Sequence, residues 1–310
     1  RIAFGPEILQ LWQEYEAGAT PEAKFCKDMD KLEMLHQALV YEDLQPDVDL
    51  ADFYRSTSKY TYNTAVCESV DREVRRRRRA QLARKGRPDE EVPGLPAAAE
   101  AGLPDPSTTR LGQDRLRSDT CSTVLAAFEA CCKLKRVSRT GWVRSHVAEP
   151  EGVADHCCSM ALMAFVLSPH AGVDSARAVH MALLHDLAEA VIGDLVIEGD
   201  KSGRDKITPE EKLERERRAM QQICGELSSK EQLLDLWEDF EAGSSAEAQL
   251  CKDLDKLEML HQALFYEDAQ PELDLGSFYR STAAYTFKTK ICKDLDLEVR
   301  RLHQAQLRKQ

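Results

Sequence analysis

The sequence predicts an all-α protein, and three observations carry that prediction. Apolar residues recur every three or four positions after Ser245, at Leu250, Leu254, Leu257, His261 and Leu264, which is the spacing of one helix face. Thr208 and Pro209 form a helix start, because threonine caps well and proline suits the first helical position. No run of alternating apolar and polar residues bounded by hairpin turns indicates a strand.

Three helices of the second half can be placed by their ends. One helix is expected from Asp174 as the cap to Gly193 as the stop. The next begins at Thr208, where Glu211 completes a capping box. The third begins at Ser244, which pairs with Glu247 in the same way. That third helix is apolar on more than one side, so we expect it to be buried among other helices or to lie in a dimer contact.

Composition bounds the possible functions. Hydrophobic residues make up 43% of the 310 positions, which allows an ordinary core, and the length suggests about two domains. No apolar stretch approaches the roughly 20 residues of a membrane helix, so no membrane partner is expected. The net charge of −12 argues against nucleic-acid binding. The run Arg75–Arg79 is a local exception, interpreted as the solvated end of a helix beside a disordered linker, with a nuclear address or a nucleic-acid patch as alternatives.

Ten cysteines could indicate disulfides, but their spacing does not. Two pairs are adjacent in sequence, no Cys-x-x-Cys motif occurs, and four others fall within predicted helices. We therefore expect free thiols in a reducing, intracellular compartment, with the cytoplasm as the expected location. The first residues carry no basic start followed by an apolar core, so no signal peptide is predicted. Because the chain begins at Arg1 rather than Met, organelle targeting stays open.

The chain contains a long internal repeat. The segment Asp30–Leu39 recurs unchanged 225 residues later as Asp255–Leu264, and Phe53–Thr57 recurs as Phe278–Thr282. From residue 11 to residue 82, roughly 60% of positions are identical to their counterparts without a gap. This pattern is typical of a duplicated domain rather than of a short-period solenoid.

The duplication is incomplete, and this defines the predicted domains. Nothing in the first part corresponds to residues 121–232, so residues 1–83 are interpreted as the C-terminal half of a unit. Residues 84–112 are rich in proline and charge and are expected to be a disordered linker. Residues 113–310 are expected to form the complete domain. The partial unit keeps Asp30, the counterpart of Asp255, without a histidine partner.

Polar residues with metal-ligating chemistry occur in three predicted helical segments. His156 opens an apolar helix, and His185-Asp186 follows about thirty residues later. Because His185 and Glu189 are four residues apart, a helix would present them on one face. Asp255 lies within an otherwise apolar helix, where an unpaired buried carboxylate would be costly and a metal ion would compensate it.

Around these residues the chain resembles the HD superfamily. Within it, the chain is similar to the five-prime deoxynucleotidases of the bacterial YfbR type and their eukaryotic HD-domain-containing relatives. The resemblance spans about residues 120–305. It includes the segments Lys135–Val143, Val153–His156, Leu184–Glu189, Gly193-Asp194, Leu236–Glu238, Ser245–Ala248, Leu254-Asp255, Tyr266–Asp268 and Phe278-Tyr279. It implies an HD-domain helical bundle.

The resemblance also implies a ligand set. It assigns one divalent metal ion to His156, His185, Asp186 and Asp255. Two imidazoles and two carboxylates suit Mn²⁺, Co²⁺, Fe²⁺, Ni²⁺ or Zn²⁺. Such an ion would polarise a phosphate and acidify the attacking water.

Further roles follow from the resemblance for the residues around the metal. It implies that Glu189 is the acid/base residue and that Asp194 lies by the sugar or the attacking water. Arg139 and Trp142 fall in the loop that touches the nucleotide in relatives, and arginine suits a phosphate. The segment Arg144–Val147 departs from the relatives, which leaves open which arginine meets the phosphate.

The expected function is a metal-dependent phosphohydrolase that converts deoxynucleoside 5′-monophosphates to deoxynucleosides and phosphate. The resemblance further implies a homodimer, and no nucleic-acid partner is expected. Two alternatives stay open. One is another HD phosphohydrolase, acting on cyclic nucleotides or nucleoside triphosphates. The other is a non-catalytic nucleotide-binding or interaction module, in which the partial repeat would be the function.

Overall fold

The computed structural model of the protein describes residues 5–87, 90–95, 121–196 and 207–308. Across these ranges it contains fourteen helices and no strand, with a single isolated bridge between Ser138 and Gly152. The predicted all-α class is therefore confirmed. The helices are α1 Gly5–Ala17, α2 Pro21–Leu44, α3 Ala51–Thr57, α4 Ala65–Arg84, α5 Cys121–Leu134, α6 Thr140–Arg144, α7 Val153–Ala171, α8 Ser175–Leu184, α9 Glu189–Ile192, α10 Pro209–Cys224, α11 Lys230–Ala242, α12 Ala246–Ala269, α13 Gly276–Ser281 and α14 Lys290–Leu307.

The chain divides into two compact units. The first is formed by residues up to Cys132 together with 226–228, and the second by Lys133–Gly225 and Ser229–Gln310. In the second unit, we call α6–α10 the front half and α11–α14 the back half. Each unit has its own core of buried apolar side chains.

The first unit is organised by α2 and α4. Thr20 caps α2, since its hydroxyl accepts the N–H of Ala23 at 3.2 Å, and Pro21 occupies the first turn. Along α2 and α4, side chains three or four residues apart lie on the same helix face, and one apolar face of each helix is buried. The core consists of Leu32, Leu35, Ala38, Tyr54, Cys67, Val70, Val74 and Leu125.

Helix α5 completes this core. Leu125 is fully buried in it, and Val124 and Phe128 pack against it. The apolar side of α5 up to Cys132 therefore finds its contacts in the first unit. The start of the complete domain at residue 113 stays a prediction.

The arginine run lies inside α4, and its predicted solvation is wrong for two of its members. Arg75 and Arg78 are almost completely buried. Arg78 makes two hydrogen bonds of 2.9 Å to Glu42, and Arg75 donates to Asp71 at 2.8 Å. Sequence spacing alone missed these buried carboxylates. Because a guanidinium can be buried when a carboxylate neutralises it, these two arginines belong to the core.

The predicted linker is only partly described. Residues 84–87 and 90–95 are described, and there Val92 and Leu95 are buried against Leu82 of α4. This short stretch thus differs from the expected disordered linker, because its two apolar side chains find a contact on the helix before it. The rest of the expected linker, residues 88–89 and 96–112, lies outside the described residues.

In the second unit, α12 is the central helix and packs against α7, α8, α11 and α14. Because α12 is apolar on more than one side, the sequence predicted that it would be buried among other helices. In the structure, Leu250, Cys251, Leu254 and Leu260 are fully buried. The predicted cap at Ser244 is wrong by one position, since the hydroxyl of Ser245 accepts the N–H of Ala248. The predicted Asp174 and Thr208 caps are confirmed, and they accept the N–H groups of Arg177 and Glu211.

The four helices α1–α4 correspond in order to α11–α14. The bounds of α2 and α12, Pro21–Leu44 and Ala246–Ala269, differ by the repeat length of 225. A buried aspartate on each helix, Asp28 or Asp253, accepts hydrogen bonds from the segment that opens the last helix of its set. The repeat is thus visible in hydrogen bonding as well as in sequence.

Two expectations from composition concern the whole chain. No helix in the described ranges is long and apolar enough to cross a membrane. All ten cysteines lie in the described ranges, no disulfide joins them there, and six of them are buried. This matches the expectation of packed thiols outside disulfides.

Candidate metal centre and active site

His156 lies in the first turn of α7 and is completely buried. The turn is held by Asp155, whose Oδ2 accepts the N–H of Gly152 at 2.8 Å. The Nδ1 atom of His156 lies 2.7 Å from Oε2 of Glu258 on α12. Because Glu258 occupies Nδ1, the ring presents Nε2 to the interior of the unit.

His185 lies at the end of α8, and here the structure corrects a prediction. The expected helix from Asp174 to Gly193 is interrupted, because α8 ends at Leu184 and α9 begins at Glu189. Residues 185–188 form a tight turn, with N–H groups bonding three residues back, as from Glu189 to Asp186 at 3.0 Å. His185 and Glu189 therefore do not share a continuous helix face. The backbone carbonyl of Ala182 accepts a 2.8 Å hydrogen bond from Nδ1 of His185, which leaves Nε2 as the free ring nitrogen.

The two free ring nitrogens face two carboxylates. Nε2 of His185 lies 3.1 Å from Oδ2 of Asp186, and Nε2 of His156 lies 3.4 Å from Oδ1 of Asp255. The two imidazole centroids are 5.3 Å apart. Ligand atoms of His156, His185 and Asp186 all lie within 4.8 Å of one another. Within the described residues neither buried Nε2 atom has a partner at hydrogen-bond geometry, although a carboxylate oxygen is close to each. This donor set therefore fits a cation with nitrogen and oxygen ligands.

A second grouping of possible ligands overlaps this one. Glu151, His156 and Glu258 also have ligand atoms within 4.8 Å of one another. We favour the first grouping, because the contact from Glu258 uses Nδ1 of His156 and leaves its Nε2 to the other side. A carboxylate bonded to the remote nitrogen of a ligating histidine is the usual arrangement around protein-bound metals.

The carboxylates of Asp186 and Asp255 are held ionised. Burial would raise the pKa of Asp186, but the neighbouring His185, His156 and Arg139 outweigh it and lower that pKa. Burial likewise opposes ionisation of Asp255, yet Lys256 and His156 bring its pKa well below the usual value. Both groups are therefore anionic and able to bind a cation at neutral pH.

Comparison with known proteins agrees with this geometry. The model of the HD domain family matches residues 3–66 and 131–291, which together cover more than half of the chain. The chain belongs to the HD domain family. Its relatives include human 5′-deoxynucleotidase HDDC2, which is 44% identical over 154 residues, or 49% of this chain and 72% of that protein.

Two further similarities extend the comparison. The Dictyostelium discoideum 5′-deoxynucleotidase HDDC2 is 37% identical over 191 residues, which are 57% of this chain and 97% of that protein. Among solved structures, a conserved hypothetical protein from Pyrococcus furiosus is 28% identical with a TM-score of 0.46, covering 59% of this chain and 99% of that one.

Arg139 lies beside the HD dipeptide of this HD domain. Its Nη1 is 3.5 Å from Oδ2 of Asp186 and its Nε is 4.0 Å from Oε1 of Glu151, with 14% of the side chain exposed. Burial would lower the pKa of Arg139, but Asp186, Asp255 and Asp194 raise it. Arg139, which the resemblance assigns to substrate binding, thus lies next to Asp186 and is fully charged.

Trp142, which the resemblance places in the nucleotide-contacting loop, lies in the core of the second unit. Its side chain is 1% exposed and packs against Phe278, with ring centroids 4.3 Å apart. Its Nε1 donates to Oε1 of Glu151 at 2.8 Å. This hydrogen bond holds Glu151 near Arg139, and a contact between Trp142 and substrate stays a prediction.

Glu189 and Asp194 differ in their surroundings. Glu189 is 2% exposed, and its Oε2 has no hydrogen-bond partner in the described part of the chain. Burial, together with the carboxylates of Asp186 and Asp194, raises the pKa of Glu189. Asp194 instead accepts the N–H of Thr140 at 2.6 Å, at the start of α6. It therefore fixes the loop that carries Arg139.

Sequence reasoning missed Glu258 and Glu151. Glu258 was detectable, because it lies three residues after Asp255 on the same helix and so shares its face. Glu151 has no comparable signal, since it precedes α7 in a loop and meets Arg139 and Trp142 only in the folded unit. In the first unit, the counterpart Asp30 is exposed and pairs with Lys31 at 2.9 Å.

Proposed function

We propose that the second unit hydrolyses deoxynucleoside 5′-monophosphates to deoxynucleosides and phosphate, with one divalent metal held by His156, His185, Asp186 and Asp255. The observation that supports it most is the pair of buried Nε2 atoms without partners, each within 3.4 Å of a carboxylate oxygen. The relatives named 5′-deoxynucleotidase, at 37–44% identity, support the substrate class.

A metal in this donor set would polarise the phosphate and lower the pKa of an attacking water. The protein's own groups account for the remaining requirements. Arg139, charged and partly exposed beside Asp186, is placed to bind a phosphate oxygen. Its position depends on Asp194 and Glu151, which hold the two ends of its loop.

Glu189 is the proposed proton donor. Cleavage of the bond between phosphorus and the 5′-oxygen leaves an alkoxide, which needs a proton to depart. Because burial and two neighbouring carboxylates raise the pKa of Glu189, its carboxyl group retains a proton that a carboxylate in water would lose. It can pass that proton to the 5′-oxygen and take one from the next water.

The borderline-hard ligand set favours Mn²⁺, Co²⁺, Fe²⁺, Ni²⁺ or Zn²⁺ over Mg²⁺ or Ca²⁺, which prefer oxygen ligands alone. The proposed stoichiometry is one ion per complete unit.

We also propose a cytoplasmic homodimer. Apolar side chains exposed on the back half of the second unit would support such a contact, at Phe265, Leu297 and Leu302.

The direct test is phosphate release from a panel of deoxynucleoside, ribonucleoside, cyclic and triphosphate substrates. Each would be measured with five divalent metals and with EDTA. We expect deoxynucleoside 5′-monophosphates to be preferred and EDTA to abolish turnover. A preference for cyclic nucleotides or triphosphates would instead support another HD phosphohydrolase.

Matched variants on one helix sharpen this test. Asp255→Asn should reduce phosphate release by at least about 1,000-fold, because it removes a charged metal ligand. Asp268→Asn, an exposed carboxylate on the same helix α12, should leave it unchanged. Equal activity of the two variants would rule out the proposed ligand set.

A further inference from the structure

The first unit presents an apolar face built from α1, α2 and α3, which we call the open face. Its members are strongly exposed, with Leu11 at 54%, Trp12 at 57%, Phe25 at 43% and Phe53 at 42%. Cys26 is exposed beside them. The helices that carry these side chains pack on one another, α1 on α2 and α2 on α3. Several large apolar side chains exposed on packed helices, a tryptophan among them, usually mark a contact with a partner.

The internal repeat indicates which kind of partner would cover this face. The counterparts of Leu11, Trp12 and Phe25 in the second unit are Leu236, Trp237 and Leu250, and they are at most 5% exposed. They are covered by the front half of that unit. Trp237 packs with Ala188, Ala219, Met220 and Cys224, and the thiol of Cys251 lies 3.4 Å from the carbonyl of Ala178.

The contact positions themselves are preserved between the units. Leucine, tryptophan and cysteine are identical at the pairs 11/236, 12/237 and 26/251. At 25/250 and 29/254 the residues are phenylalanine for leucine and methionine for leucine, so both stay apolar. Phe53 likewise matches Phe278, which stacks on Trp142 of the front half. The open face therefore has the chemistry of the covered one.

We propose that the open face docks an HD-type front half, which is a group of helices like α6–α10. Such a partner presents small and flexible apolar side chains, as Ala178, Ala182 and Met181 do toward α12. The first unit would then act as a binding module for that front half. This inference concerns packing alone and does not rest on the proposed reaction.

The test uses the full chain as receptor and residues 133–225 of this chain as the probe, tagged and co-expressed. We expect the probe to copurify with the full chain. Labelling of Cys26 by a maleimide, read by mass spectrometry, should slow at least about tenfold in the complex, while labelling of the exposed Cys131 should not change. Protection of Cys26 would place the probe on the open face.

Variants discriminate this contact from others. The double variant Trp12→Asp and Phe25→Asp should abolish capture, because two charges would be buried in the contact. Leu44→Asp is the matched control, since Leu44 is also exposed on α2 and its counterpart Ala269 is exposed in the second unit. Capture should survive that change.

Two results would overturn the proposal. One is failure of the full chain to capture the probe, when the same probe assembles with separately produced residues 226–310. The other is capture that persists in the double variant while Cys251 becomes accessible to labelling. That result would mean that the probe has replaced the front half of the second unit and does not bind the open face. If the probe does not assemble with residues 226–310, peptide-resolved hydrogen exchange in a fusion of the probe to the N-terminus of the full chain replaces capture. Protection of residues 8–29 then supports the proposal, and its absence overturns it.

Discussion

The two copies of the repeated segment have the same helices and different surroundings. Helices α1–α4 begin at residues that correspond to the first residues of α11–α14, and their ends agree to within two residues. Tyr54 and Tyr279 each donate to a main-chain carbonyl of the preceding long helix at 3.2 Å. Yet Trp12 is 57% exposed where Trp237 is 1% exposed. Similar local sequence therefore gives the same helices and the same hydrogen bonds between them. The burial of a side chain such as tryptophan depends instead on which other helices pack against that face.

The largest expected difference concerns this tryptophan pair. Trp237→Ala should lower the free energy of unfolding of the second unit by about 3–5 kcal/mol, because it leaves a cavity in a packed core. Trp12→Ala should change that of the first unit by less than about 0.5 kcal/mol. Urea unfolding followed by peptide-resolved hydrogen exchange would report each unit separately. Similar losses in both units would mean that Trp12 is buried in solution.

Unlike the tryptophans, the buried aspartates Asp28 and Asp253 should contribute equally to the free energy of unfolding of their two units. Asp28 accepts from Tyr60, Asn63 and Thr64, and Asp253 accepts from Tyr285, Lys288 and Thr289. Both are fully buried. Replacing either with alanine leaves these donors unpaired and should destabilise its own unit by about 3 kcal/mol.

The same exchange measurement distinguishes the outcomes for the aspartates. Asp49→Ala serves as a control, because that side chain is 46% exposed, and it should cost less than Asp28→Ala. An Asp28 variant with native stability would show that α1–α4 and α11–α14 are not held together by the same interaction.

A smaller effect is expected at Glu258, which is the positioning residue for His156. Glu258→Ala removes the carboxylate at Nδ1 and should weaken metal binding by about 10–100-fold. The affinity is measured by competition with a chelator. Glu33→Ala, the exposed counterpart on α2, should leave it unchanged. A Glu258→Asp variant should recover part of the affinity if orientation of the ring is what matters.

The smallest effect concerns Asp239 on α11. Burial alone would raise its pKa, but hydrogen bonds from Ser245, Arg177 and Ser244 lower it to about 2. A lowered pKa in the folded state means that its contribution is complete above about pH 4 and is lost as the pH falls toward 2. Asp239→Asn should therefore cost about 1–2 kcal/mol at pH 7 and almost nothing near pH 2.

This prediction is checked by the pH dependence of urea unfolding for the wild-type chain and the variant. Glu14→Gln is the matched change in the first unit, where the corresponding carboxylate accepts a single side-chain hydrogen bond, from Thr20. Its effect should be smaller at every pH. A constant difference between wild type and Asp239→Asn across the pH range would contradict the assigned cause.

Much of the candidate site was predictable from the sequence. The order of His156, His185-Asp186 and Asp255 along the chain, with its family resemblance, brought together four residues that are adjacent in the fold. Local signals worked here because helix caps and the three-to-four-residue repeat act over one or two turns.

Two predictions failed where contacts between distant segments decide. The helix expected through His185 is broken by a tight turn, and Arg75 and Arg78 are buried against carboxylates. Glu42 lies 36 residues from Arg78 in sequence. A pattern read within one helix does not include such a partner, so it assigned a charged run to solvent.

The sequence by itself determined the helical class and the repeat, because these depend on short-range periodicity and on identity between aligned positions. Its resemblance to the HD family implied the candidate metal ligands. Only the tertiary structure decided which face of each repeat is covered. It also decided that Glu258 orients His156 and that Trp142 is internal. These features arise from packing between segments far apart in the chain, where shape and charge are matched only after the helices have come together.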